Sequence, residues 1–184
     1  MQRTTPVLLT IMLMTAALSS NAKPTDADWD HACAAKVYDC FMVQGAGIHF
    51  FSSAILHETT PTPTGKIDRS TDTVELTGDI VGRILYHPVS RYDFSEGTLV
   101  NTGSQVFSGS VAGHPPVLLL DDTFRFDVDL QTGETTGTIA FTRTIAGPET
   151  RCFLNAVGTG LTPDGDAKIE YSGWCRVRVE PSRQ

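Results

Sequence analysis

The stretch from Cys152 to Cys175 constrains this chain more than any other. Thr162-Pro163-Asp164-Gly165 separates two alternating segments, 151–161 and 166–178. Pro at the second position and Gly at the fourth suit a type I turn. Centring that turn between Pro163 and Asp164 sets Cys152, Leu154, Ala156 and Gly158 opposite Cys175, Gly173, Tyr171 and Ile169, a small and apolar face. The other face then carries Phe153 with Trp174, Asn155 with Ser172, and Thr159 with Lys168. A slip of one residue moves a whole set of side chains to the wrong side. The three-residue loop that produces such a slip puts Cys152 against Arg176. The preferred register has one defect, Arg151 opposite Arg176, since like charges in a cross-strand pair repel.

Opposed residues of an antiparallel pair have Cα atoms about 4.5–5.5 Å apart, a separation that a disulfide spans. The chain has four cysteines, so a Cys152–Cys175 bond leaves Cys33 and Cys40 to each other. A helix over 29–41 competes with that pairing. Trp29, Cys33, Val37, Cys40 and Phe41 recur at helical spacing, and Asp26 is placed to cap the start. Seven residues of helix rise about 10.5 Å, too far for one disulfide. Either both bonds are local and residues 33–40 loop, or the helix forms and its cysteines staple it to the terminal hairpin. Local pairing is the preferred reading, and sequence leaves both open.

Everything after Gly47 reads as β. Residues 48–57 are rich in Ile and Phe, and 58–72 hold the Thr, Pro, Gly and Asp of a loop. Residues 73–87 alternate, with Val74, Leu76, Gly78, Ile80, Gly82, Ile84 and Tyr86 on one face, as in a long curved strand wrapping a core. Residues 98–112 read as one broken strand or a hairpin, and 117–130 and 135–146 as a further hairpin. A turn centred on Thr132-Gly133 pairs Phe124 with Phe141 and Phe126 with Ile139, and sets Asp122 opposite Arg143 as an ion pair.

The amino terminus carries the parts of an export signal. Arg3 precedes an apolar run over 7–18, and Ser20 and Ala22 are small residues before a cut at Lys23. The run is shorter than the roughly 20 residues of a spanning helix. The expectation is a cleaved leader over 1–22 and one disulfide-containing β domain over 23–184, secreted or periplasmic and not membrane-spanning after cleavage, since disulfides persist in oxidising compartments. With 14 Lys+Arg against 21 Asp+Glu, the chain lacks the clustered basic charge that nucleic acid requires. An outer-membrane barrel is disfavoured, because aromatics make up only 8% and the chain ends in a polar tail.

No motif assigns chemistry. There is no G-x-S-x-G, Walker loop or dinucleotide fingerprint, and no spacing points to a metal or cofactor. Asp127-Val128-Asp129 before Gly133-Glu134 lacks the spacing of a calcium loop. Of five histidines, His49 and His57 lie about 26 Å apart if one straight strand joins them. His31 lies near the mature start, and His114 precedes Pro115-Pro116. The site candidates are His57 with Glu58 and Tyr86 with His87, each pair at a strand end where barrel mouths form.

These elements imply an all-β domain of seven or eight strands, a small antiparallel barrel or a sandwich, with a short N-terminal helix as an open addition. Strand count and curvature resemble the lipocalin-like and allene-oxide-cyclase-like barrels. That likeness is architectural and carries no site residue. The leading expectation is an exported domain that binds a small apolar ligand or a protein partner without catalysis. A barrel-cavity isomerase or cyclase working by pocket shape is the alternative, and a surface or structural protein is the third.

Overall fold

A computed structural model describes residues 27–179; the leader expected over 1–22 lies outside them. Helix α1 (Ala27–Ala34) is followed by strands β1 (Tyr38–His49), β2 (Ile55–Pro61), β3 (Gly65–Gly78), β4 (Ile80–Asp93) and β5 (Thr98–Val111). Then come β6 (Val117–Asp121), β7 (Arg125–Asp129), β8 (Thr135–Phe141), β9 (Arg143–Ala146), β10 (Thr150–Leu161) and β11 (Ala167–Arg178). Eight of these close an antiparallel barrel in the order β3, β1, β11, β10, β8, β7, β5, β4 and back to β3. β2, β6 and β9 are additions. The sandwich is thereby set aside.

Both disulfides are local. Cys33–Cys40 and Cys152–Cys175 have Cα atoms 5.8 and 4.2 Å apart. The competition with a helix over 29–41 is resolved by shortening it. α1 stops at Ala34, Lys36 takes a positive φ of 56°, and Cys40 already lies in β1. Trp29 anchors the helix on the outside of the barrel, its indole packed edge-on to Phe153 at 5.7 Å. The same contact removes the Arg151–Arg176 objection. The Arg176 guanidinium is buried between the rings of Trp29 and Tyr38, at 4.9 and 4.8 Å, where aromatic faces stabilise its charge.

The last hairpin has the expected register from Thr150–Val177 to Gly158–Ile169. Beyond it a bulge intervenes, and Gly160 rather than Thr159 pairs with Lys168. The turn itself is a three-residue loop. Thr162 N donates to Asp166 O at 2.7 Å, and Gly165 sits at φ 88°, where only glycine is unstrained. A bulge residue and the longer loop cancel, so the cysteines meet.

Residues 73–87 are not one strand. The chain turns at Gly78-Asp79, between β3 and β4. Gly78 has φ 102°, and a Cβ there would meet Gln44 O and Gly45 Cα at 2.7 Å. Asp79 binds Gln44 twice, its amide donating to Gln44 O at 3.0 Å and its carboxylate accepting from Gln44 N at 2.8 Å. Leu76 pairs with Gly82 and Val74 with Ile84. Partners of equal parity keep the even-numbered residues inward on both strands, so the alternation marks the right face even though a corner interrupts it.

Three other spans differ from expectation. Residues 58–72 are not a loop but the ends of β2 and β3, which pair around a short turn. Residues 48–57 break at a 3₁₀ turn, Phe51–Ser53, so His49 and His57 do not share a strand. Residues 98–111 form a single strand, β5. The β7–β8 register is shifted by two residues, with Phe126 opposite Gly137 and Asp127 opposite Thr136. Two physical causes are visible. Asp129 Oδ1 accepts from Gln131 N and Thr132 N at 2.7 and 2.9 Å, which lengthens the loop. Gly137 leaves its face bare for the Phe126 ring. Phe124 falls between β6 and β7, and Arg143 pairs with Leu120 instead of Asp122.

One end of the barrel is filled by Ile80, Phe107, Leu119, Phe124 and Phe141, all at most 1% exposed, with the Cys152–Cys175 bond among the same buried cluster. Tyr171 locks this end. Its hydroxyl accepts from Ile80 N at 2.8 Å and faces Thr77 O at 3.0 Å, joining β11 to the β3–β4 turn across Gly45.

Candidate functional site

The other end of the barrel is hollow. A cavity of about 420 Å³ is lined by residues of all eight barrel strands, among them Val74, Ile84, Leu99, Val128, Ile139 and Ile169. Alternation explains the lining, since every second residue of a strand faces the interior. Thr132 and Gly133 of the β7–β8 loop and Gly160 and Leu161 of the β10 bulge line the mouth. The bulge matters here. It switches β10 from even to odd inward positions, which brings Leu161 to the rim.

A smaller chamber of about 170 Å³ adjoins the cavity, and His49, Phe51, Tyr86, Leu99 and Asn101 face both. Its remaining wall is mixed, with Asp68, Ser70, Asp72 and Ser90 beside Ala54, Leu56, Pro88 and Tyr92. His49 Nε2 lies 3.4 Å from Asp72 Oδ2, within ion-pair range but not aligned for a hydrogen bond. The imidazole packs on Phe51 at 4.1 Å and edge-on to Tyr86 at 5.1 Å. Ser70 donates to Asp72 Oδ2 at 3.2 Å. Asp72 Oδ1 and Asn101 Oδ1 are buried without a hydrogen-bond partner. Asp68 is provided for, with Lys66 Nζ at 2.6 Å and the Thr59 hydroxyl at 2.8 Å. Burial raises the Asp68 carboxyl, but these two donors outweigh it and hold the group below its ordinary value. Burial, with Asp72 and Asp121 nearby, pushes the Tyr86 phenol up, so its hydroxyl stays protonated and able to donate.

Of the four site candidates, Tyr86 alone faces the cavity. His87 follows it on β4 and therefore points outward. His57 and Glu58 are exposed on β2, outside the barrel. The Thr71 hydroxyl joins His57 Nε2 and His87 Nδ1 at 2.7 and 2.9 Å on that outer surface. Glu58 pairs with Arg69 at 3.4 Å. His49, Asp72 and Asn101 escape sequence reasoning. Asp72 is nevertheless in phase with Val74 and Leu76, so extending the alternation back by one step finds it. Asp127 and Asp129, the acids of the calcium-like stretch, are used locally. Asp127 binds Arg125 Nε at 2.8 Å, and Asp129 caps its loop.

The mouth loops are tied by aspartates. Amide donors from Thr132 and Gln131 hold the Asp129 carboxyl below the ordinary 3.8. The Ser95 hydroxyl, Glu96 N and the Thr64 hydroxyl do the same for Asp93. A depressed carboxylate stabilises the fold above its unfolded value, and that contribution is lost as pH falls through the lower folded value. The Gln131 and Thr132 amide resonances should therefore shift in an acid NMR titration with a midpoint below 3.8. A midpoint at or above that value would contradict the cap.

Among the described residues no helix is long and apolar enough to cross a membrane. No protein-family model, curated protein or solved structure matches this chain.

Proposed function

We propose that this chain is an exported single-domain barrel, residues 23–184 after removal of its leader, that binds a small and mainly apolar molecule without transforming it. The carrying observation is the hollow half of the barrel, about 420 Å³ with an apolar lining. That volume falls within the roughly 300–1,000 Å³ of small-molecule sites. Two local disulfides support export to an oxidising compartment. A barrel-cavity isomerase or cyclase is the second reading, favoured by His49 and Asp72 beside the protonated Tyr86 at the cavity wall.

N-phenyl-1-naphthylamine, an uncharged probe that fluoresces in apolar surroundings, tests the proposal. It should bind the oxidised protein saturably. Val128→Trp, which fills part of the cavity near its mouth, should weaken binding at least about tenfold while the circular dichroism stays unchanged. Absence of saturable binding, or an unaltered affinity in Val128→Trp, would overturn the reading.

A further inference from the structure

We infer that the natural ligand carries a positively charged amine head, seated in the side chamber beside Asp68 and Asp72, with its apolar body in the main cavity. The inference rests on the proposed binding function and narrows the ligand class.

Unmet acceptors are the starting point. A buried polar atom without a partner costs on the order of 1–3 kcal/mol. Such atoms are rare enough in native folds to call for an explanation. Here two carbonyl-type oxygens, Asp72 Oδ1 and Asn101 Oδ1, are unpartnered on residues that line one chamber. Asp72 is 4% exposed, and its surface toward the chamber is the part a bound head group would cover. Both atoms accept and neither donates, which selects a ligand group rich in N–H or O–H.

Charge then selects among donors. Two carboxylates, Asp68 and Asp72, line the chamber, and among the described residues no lysine or arginine does. Lys66 reaches Asp68 from beside it, lying over the Tyr92 ring at 4.7 Å. Asp72 has no lysine or arginine partner among the described residues; the basic group nearest it is His49, whose Nε2 lies 3.4 Å from Oδ2. His49 stands off-axis at its other oxygen. A carboxylate or phosphate head would meet like charge at close range. A hydroxyl would satisfy one acceptor but bring no charge to Asp72 Oδ1. An ammonium brings three donors and the matching charge, and the faces of aromatic rings such as Tyr86 at the chamber wall favour a cation. The two compartments adjoin across five residues, so one amphiphilic molecule fits both.

Displacement of bound N-phenyl-1-naphthylamine by decylamine, decanol and decanoate tests this. These three share one apolar body and differ only in the head. Decylamine should compete about tenfold or more better than decanol, with decanoate weakest, because a charge-assisted hydrogen bond outweighs a neutral one. Asp72→Asn should abolish the advantage of the amine over decanol. Asp127→Asn, on the outer surface, should preserve it and so exclude attraction to the acidic protein as a whole. Should Asp72→Asn fold poorly, Asn101→Leu serves, with the advantage of decylamine over decanol reduced severalfold. Equal competition by the three heads, or an amine preference that survives Asp72→Asn, overturns the amine assignment and leaves the apolar cavity standing. Failure of the probe to bind overturns the cavity reading instead.

Discussion

Asp121→Ala is expected to destabilise the barrel by about 4 kcal/mol, a loss at the upper end for a single substitution. The carboxylate is 1% exposed and has no cationic partner among the described residues. It is held by donors alone. Oδ2 accepts from Gln105 Nε2 and Ala140 N, both at 2.9 Å, and Oδ1 accepts from Thr123 N and the Thr123 hydroxyl at 2.7 and 3.0 Å. These donors belong to β5, to β8 and to the break between β6 and β7. One side chain thus replaces the ladder bonds that the break interrupts. Alanine would strand the Gln105 amide and the Ala140 N–H in the interior, at about 1–3 kcal/mol for each buried unmet group. Asp121→Asn keeps the shape but turns one acceptor into a donor facing donors, and should cost about 2 kcal/mol. Denaturant unfolding monitored by tryptophan fluorescence measures both. A loss below about 1 kcal/mol for the alanine variant would show that the break does not depend on this carboxylate.

Removing the Cys152–Cys175 bond by paired Cys→Ala substitution should cost about 3.5 kcal/mol, against about 2.5 kcal/mol for the Cys33–Cys40 pair. The order follows from loop length. The bonds close sequence separations of 23 and 7 residues, and the longer loop restricts the unfolded chain more. Burial adds to the difference. Cys152 and Cys175 are fully buried within the core cluster, so their loss also removes packed sulfur. The Cys33–Cys40 bond ties the start of β1 to a helix that meets the barrel through Trp29. Comparison of the two double variants by thermal and denaturant unfolding checks the ranking. Equal losses, or a larger loss for the Cys33–Cys40 variant, would place the tie between helix and barrel above the core bond.

What is legible in the sequence is local. A turn with Pro and Gly at fixed positions, flanked by alternation, is enough to set Cys152 opposite Cys175. The inward face of residues 74–86 is equally plain. The corner at Gly78-Asp79 is not, because its cause is a pair of bonds to Gln44, 35 residues away. The β7–β8 register departs from expectation by two residues because the Asp129 cap lengthens the loop without changing which side chains face inward. The chamber is hidden for a related reason. Asp72 sits in what composition marks as a loop, and His49 approaches it because the β1–β3 ladder pairs His49 with Val74, two residues from Asp72. The site candidates are paired as neighbours in sequence, and a strand sends neighbours to opposite faces.

The bulge in β10 has a consequence for descent. It holds the one residue of the last hairpin that the ladder does not require. Loss of Thr159 would straighten the strand, yet leave Cys152 opposite Cys175 and the inward residues up to Ala156 in place. The same loss between Cys152 and Ala156 would turn part of the core outward. Length variation in this hairpin is thereby channelled to the rim, where it reshapes the entrance around Leu161 and spares the disulfide.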